Sequence, residues 1–140
     1  MSLSTYERHL KEVPKKYNVL QLFRPPIYVI ELSNNQLRTV CYYKDGSSKR
    51  HQLNADFSNR RMVIADFLKA VQATSDLLQQ FPKHPFGVNT FAVANVTEEL
   101  ADGLTMVEIK AVMEAVWTAS GEAKRKIVYT TVSYQGQTVS

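Results

Sequence analysis

A single cysteine, Cys41, leaves this 140-residue chain unable to form an intramolecular disulfide or a thiolate metal cluster. That scarcity points to a reducing setting, cytoplasmic or otherwise intracellular. Histidine is equally sparse. His9, His51 and His84 lie far apart, none at ligand spacing from another His or Cys, so no metal site is expected. The five glycines, Gly46, Gly87, Gly103, Gly121 and Gly136, stand singly, without the spacing of a Walker or dinucleotide loop. No phosphate cradle, cofactor or other small-molecule ligand is therefore inferred. No serine sits in a Gly-x-Ser-x-Gly elbow. Cys41, between Val40 and Tyr42 in a strand pattern, reads as a buried, inert small hydrophobe rather than a nucleophile. Long apolar runs are also missing: no window approaches the roughly eighteen residues a membrane helix needs. The segment Met1 to Val13 mixes polar and charged residues and does not resemble a signal peptide.

What remains is ordinary globular material. Hydrophobic residues make up 44% and charged residues 21% of the chain, enough to bury a core and too apolar for disorder. The length suits one domain, residues 1–140, and no internal repeat or interdomain linker interrupts it.

The local patterns predict an order of α-β-β-β-β-α-β-α-β. Ser4-Thr5-Tyr6-Glu7 fits a capping box and opens a short helix over 5–12, closed by Pro14. Tyr17–Phe23 alternates as a strand, and Pro25-Pro26 interrupts it. Ile27–Leu32 is nearly continuous in apolar residues, as a strand covered on both faces should be. Asn34-Asn35 and Lys44-Asp45-Gly46-Ser47 are turn sequences that frame a strand over Gln36–Tyr43. Ser48–Leu53 is polar and suits a sheet edge. Val63, Ile64, Phe67, Leu68, Val71, Leu78 and Phe81 recur at helical spacing, predicting a helix over about 60–80 capped by Ser58 or Asn59. Phe86–Val96 reads as a strand. Thr105-Met106-Val107-Glu108 is a second capping box, followed by an apolar stripe of Met106, Ile109, Val112, Met113, Val116 and Trp117, with Gly121 as the expected C-terminal cap. Ile127–Tyr134 is a last strand, trailed by the polar tail Gln135–Ser140. A run of strands followed by mixed elements predicts an α+β fold: a mainly antiparallel sheet of five to six strands, two amphipathic helices on one face, and a short N-terminal helix.

Charge is the uneven feature. Residues 1–70 carry 12 Lys+Arg against 6 Asp+Glu, whereas 71–140 carry 5 against 7. Much of the excess sits in three clusters: Lys49-Arg50-His51, Arg60-Arg61 and Lys124-Arg125-Lys126. Brought to one rim, they would bind a polyanion by releasing its counterions. Consecutive strand residues face opposite sides, so one of Tyr42 and Tyr43 is free of the core, and Tyr43 is the candidate for base stacking. The plain alternative for all of these residues is solvated charge beside half-buried tyrosine. The carboxylates Glu98, Glu99, Asp102 and Glu108 suit a helix N-terminal turn better than an acid/base pair. With no motif that names a reaction, catalysis is not the expectation. The sequence therefore reads as a non-catalytic nucleic-acid-binding protein for RNA or single-stranded DNA. The alternative is a self-assembling structural or scaffold subunit of viral or phage type, whose basic and acidic faces meet in a homo-oligomer.

Overall fold

The computed structural model describes residues 6, 9–10, 25–58, 64–82, 90–97, 100, 103–135 and 137–139. Eight elements emerge in them. Three strands come first: β1 (Ile27–Ser33), β2 (Gln36–Tyr42) and β3 (Ser48–Asn54). Helix α1 (Phe67–Gln79), strand β4 (Thr90–Val96), helix α2 (Met106–Ala123), strand β5 (Ile127–Tyr134) and the two-residue β6 (Gln137–Thr138) follow.

The sheet runs β3-β2-β1-β4-β5-β6. β1, β2 and β3 form an antiparallel meander, but β4 lies parallel to β1, and β5 lies parallel to β4. The expected mainly antiparallel sheet is thus corrected to a mixed one. The reason lies in the connections. β3-α1-β4 and β4-α2-β5 are helical crossovers, and such a crossover returns the chain to the end where the preceding strand began.

Side-chain alternation sorts the sheet into two faces. Tyr28, Ile30, Leu32, Leu37, Cys41, Ala92, Ala94, Val96 and Val132 join the buried residues of both helices in one core. The small Ala92 and Ala94 let the helices lie close on the central strands. From α1 that core takes Ala70, Val71, Ala73, Leu77 and Leu78; from α2 it takes Ile109, Val112, Ala115, Val116, Ala119 and Ala123. Full burial of a side chain such as Leu78 contributes about 1.5–3 kcal/mol. On the opposite face Ile27, Phe91 and Val93 form a smaller cluster with Tyr6 and Leu10, and the Tyr6 hydroxyl donates to the Pro25 carbonyl at 2.8 Å.

Both helix starts are set by side chains. Asp66 caps α1, its carboxylate accepting from Lys69 N at 3.1 Å. That differs from the expected start near 60 under Ser58 or Asn59. Ser58 instead bonds the β1–β2 turn, while Asn59 and residues 60–63 lie outside the described residues. Thr105 and Glu108 form the reciprocal capping box that their spacing predicted. Gly121 is not the C-terminal cap of α2. The helix runs to Ala123, and Lys124 takes the left-handed position, φ 56°.

Other expectations fall partly or wholly outside the described residues. No N-terminal helix is seen among the described elements; of the expected helix 5–12 only Tyr6, His9 and Leu10 are described, and all three are buried. The strand expected at Tyr17–Phe23 and the first residues of the strand expected from Phe86, together with His84, Glu98, Glu99 and Asp102, lie outside them too. Among the described residues no helix is long and apolar enough to cross a membrane.

Candidate functional site

The described members of the three basic clusters do not share one face. Along β3, Lys49 stands opposite Cys41, Arg50 opposite Val40 and His51 opposite Thr39. Lys49 and His51 therefore project on the helix side and Arg50 on the other. His51 packs edge-on against Phe81, ring centres 4.8 Å apart. Arg50 lines a basin of about 470 Å³ on the outer face, shared with Glu31, Arg38, Val40 and Gln52. Arg60 and Arg61 lie outside the described residues. Lys124 and Lys126 are exposed, but the Arg125 between them is only 4% exposed. Tyr43 is partly buried against the helix-side core, and burial pushes its hydroxyl above the ordinary phenol range.

Arg125 ends up inside because of the chain's path between α2 and β5. The left-handed turn at Lys124 closes the helix, and Arg125 N donates to Ser120 O at 2.9 Å. Its guanidinium then reaches under both helices. Nη1 donates to Ala123 O at 2.7 Å, and Nη2 to Phe81 O at 2.6 Å and Gln79 O at 3.5 Å. Ala123 O and Gln79 O end the two helices, where the dipoles favour a cation, and Phe81 O lies just past the cap of α1. Arg125 is a joint cap, a role that sequence reading missed. Next to it lie Tyr28 and, at the same end of β2, Cys41. Burial raises the Tyr28 hydroxyl well above its ordinary value, and Arg125 pulls weakly the other way. Burial likewise pushes the Cys41 thiol up to about 12. A thiol held neutral in this way is no nucleophile near pH 7.

The opposite end of the sheet holds its topological switch point. Strand order reverses between β1 and β4, and open α/β sheets bind ligands at the carboxyl ends of such strands. Hydrogen bonds tie the adjacent strand ends together there. Thr97 donates to Leu32 O through N (2.9 Å) and Oγ1 (3.3 Å), and Gln135 N donates to Val96 O at 2.8 Å. The β1–β2 turn is tied down as well. Asn35, at φ 53°, accepts on its amide oxygen from Phe57 N and Ser58 N, and its own N–H donates to Ser58 Oγ. Among the described residues, no group of three or more His, Cys, Asp or Glu side chains could hold a metal ion.

The open feature is a groove between α2 and β5. Trp117, the only tryptophan in the chain, is 69% exposed there. It walls two adjoining hollows. One, of about 310 Å³, is lined by Met113, Glu114, Trp117, Thr118 and the β5 segment from Ile127 to Thr130. The other, of about 490 Å³, is lined by Trp117, Ser120, Gly121, Lys124, Arg125, Lys126 and Ile127. The stripe predicted as core thus divides. Ile109, Val112 and Val116 are buried, while Met106 and Trp117 are exposed. One flank of α2 meets α1, but β5 lies near the sheet edge, so no third helix covers the other flank among the described residues.

No protein-family model matches the chain, and no curated protein matches it. Two solved structures resemble it in shape. One is the crystal structure of ethanolamine utilization protein EutJ from Carboxydothermus hydrogenoformans, with a TM-score of 0.49 and 14% identity over 95% of this chain and 47% of that one. The other is a structural study of the Aquifex aeolicus PPX-GPPA enzyme, with a TM-score of 0.40 and 15% identity over 77% of this chain and 36% of that one. The chain spans less than half the length of either, and likenesses this faint assign no activity. The expectation of a nucleic-acid-binding module, with a scaffold subunit as its alternative, is corrected on the placement of the described charges. Arg125 is sealed inside, and Lys49, Arg50 and His51 of β3 divide between the sheet's two faces.

Proposed function

We propose that the chain is a single-domain, non-catalytic binding module that docks a segment of another protein in the groove between α2 and β5. The observation that carries this reading is Trp117, a large aromatic left in water where both hollows meet. Exposed tryptophan is costly to hydrate, and it is the residue type most enriched at binding hot spots. Lys124 and Lys126 stand exposed at one end of the groove. They favour a partner that carries acidic residues beside an apolar anchor.

The test is selection of displayed random peptides on the intact chain, repeated on Trp117→Ala and on Lys124→Glu/Lys126→Glu. Enriched peptides should join an apolar residue to acidic ones and disappear on both variants. An exposed side chain supports little packing, so Trp117→Ala should melt within a few degrees of the parent, which separates lost binding from lost folding. Enrichment indifferent to Trp117 overturns the proposal.

A second reading has one observation in its favour, the reversal of strand order between β1 and β4. It places a small-molecule ligand beyond the carboxyl ends of those strands. Thermal shift with magnesium ATP and with inorganic phosphate tests it, and no stabilisation by either removes it.

A further inference from the structure

From the edge of the sheet we infer how the partner binds: as an extended strand added antiparallel to β5, with its acidic end at Lys124 and Lys126. This inference rests on the proposed groove. Its basis is the shortness of β6, which among the described residues pairs with β5 at Ser133 and Tyr134 and is followed by one more bond, Val139 N to Val132 O at 2.9 Å. That bond shows that the main-chain groups of Val132 face outward. Alternation then turns those of Thr130 to the same side, inside the groove. A strand continuing the line of β6 would run from Val132 toward Ile127 and meet Thr130 first. Its alternate side chains would enter the hollow walled by Met113, Trp117 and Thr118.

Charge fixes the direction. An antiparallel segment runs away from Tyr134 toward the start of β5, so its C-terminal part arrives beside Lys124 and Lys126. Beyond those two lysines and the buried Arg125, that hollow is lined by uncharged residues. The partner chemistry is therefore an extended peptide with β-branched or aromatic residues at alternate positions and carboxylates at its C-terminal end. The other outer strand, β3, makes the contrast. Its Lys49, Arg50 and Gln52 are exposed, a composition that deters strand addition.

Three synthetic peptides test the inference, read by the fluorescence of Trp117 and by hydrogen exchange at the Thr130 amide. The first alternates valine and threonine and ends in aspartates, the second ends in lysines instead, and the third repeats the first with a central proline. The first should shift Trp117 emission to the blue and slow Thr130 exchange at least tenfold. The second should bind at least tenfold more weakly, and Lys124→Glu/Lys126→Glu should reverse that preference. Proline removes a ladder donor, so the third should also lose at least tenfold in affinity at unchanged charge. If the proline peptide binds equally and Thr130 exchange does not slow while Trp117 still responds, strand addition is wrong and the groove stands. If Trp117 responds to no peptide, the groove reading itself is overturned. Displacement of the peptide by an oligonucleotide, or peptide-independent dimerisation that buries Trp117, overturns the inference in favour of a polyanion or a second copy.

Discussion

Lys124, Arg125 and Lys126 are consecutive and equally charged, yet they belong to two regions with opposite physics. Arg125 sits in a sealed base beside Tyr28 and near Cys41, its fork spent on helix-end carbonyls. Lys124 and Lys126 stand in water at the mouth of the Trp117 groove. A buried cation can remain charged only where dipoles replace its hydration, and two helix ends supply them. An exposed cation keeps its hydration and is available to a partner. Charge in this protein is thus structural where the chain turns inward and recognition-competent one residue to either side.

The sharpest way to break that contrast is to remove the inner charge. Arg125→Met keeps much of the volume but leaves Ala123 O and Phe81 O without their charged donor. Hydrogen bonds to charged groups contribute about 1.5–3 kcal/mol each, so a loss of about 3 kcal/mol or more is expected. Arg125→Lys should recover only part of it, because an ammonium cannot span two helix ends as a planar fork does. Urea unfolding followed by circular dichroism measures both. The matching change outside, Lys124→Met or Lys126→Met, should move the midpoint little. If Arg125→Met is as mild as those, the joint cap is wrong.

A comparable effect, spread over several pH units, follows from alkaline titration. The Cys41 thiol is pushed from its ordinary 9.0 up to about 12 by burial, and the Tyr28 hydroxyl is raised from 10.0 for the same reason. Unfolding returns both groups to water. Above about pH 9 the unfolded chain has therefore released a proton that the folded chain still holds, so stability falls as pH rises. The loss begins near 9 with Cys41 and steepens beyond 10 as Tyr28 and the partly buried Tyr43 join. Each group contributes at most about 1.4 kcal/mol per pH unit within its window. Urea midpoints taken from neutral pH upward measure the slope, and Cys41→Ala should flatten its onset. A flat profile to pH 11 would place both groups in water.

How much of this was legible in the chain differs by level. Local chemistry was plain: Thr105 with Glu108 as a capping box, Asp45-Gly46 as a hairpin turn, and the polar run at Ser48–Leu53 as an edge strand among the described residues. Strand direction was written less visibly. The alternation β3-α1-β4-α2-β5 is itself a signal of parallel crossovers, but the three-strand meander before it carries the stronger local pattern. Periodicity could not separate Trp117 from Val116, because spacing shows which residues share a stripe and not how many neighbours cover it. Arg125 was hidden for a related reason. Three basic residues look alike in a row, and only the left-handed turn at Lys124 decides which points inward.

The smallest expected effect tests the outer side of the comparison. On the face away from the helices, Arg38 Nε lies 3.8 Å from Glu31 Oε1, with side chains 50% and 40% exposed. The residues stand opposite each other on β2 and β1, so the pairing is set by the sheet register. Water screens the attraction and both side chains keep other rotamers, so such a pair contributes between zero and about 1 kcal/mol. Glu31→Gln should therefore lower the urea midpoint only slightly, and added salt should erase the difference. A double-mutant cycle with Arg38→Met isolates the coupling. Coupling comparable to the loss in Arg125→Met would mean that this face is covered in the intact protein. The outer basin that Glu31 and Arg38 share with Arg50 would then be an interior, and the division between sealed and solvated charge would have to be redrawn.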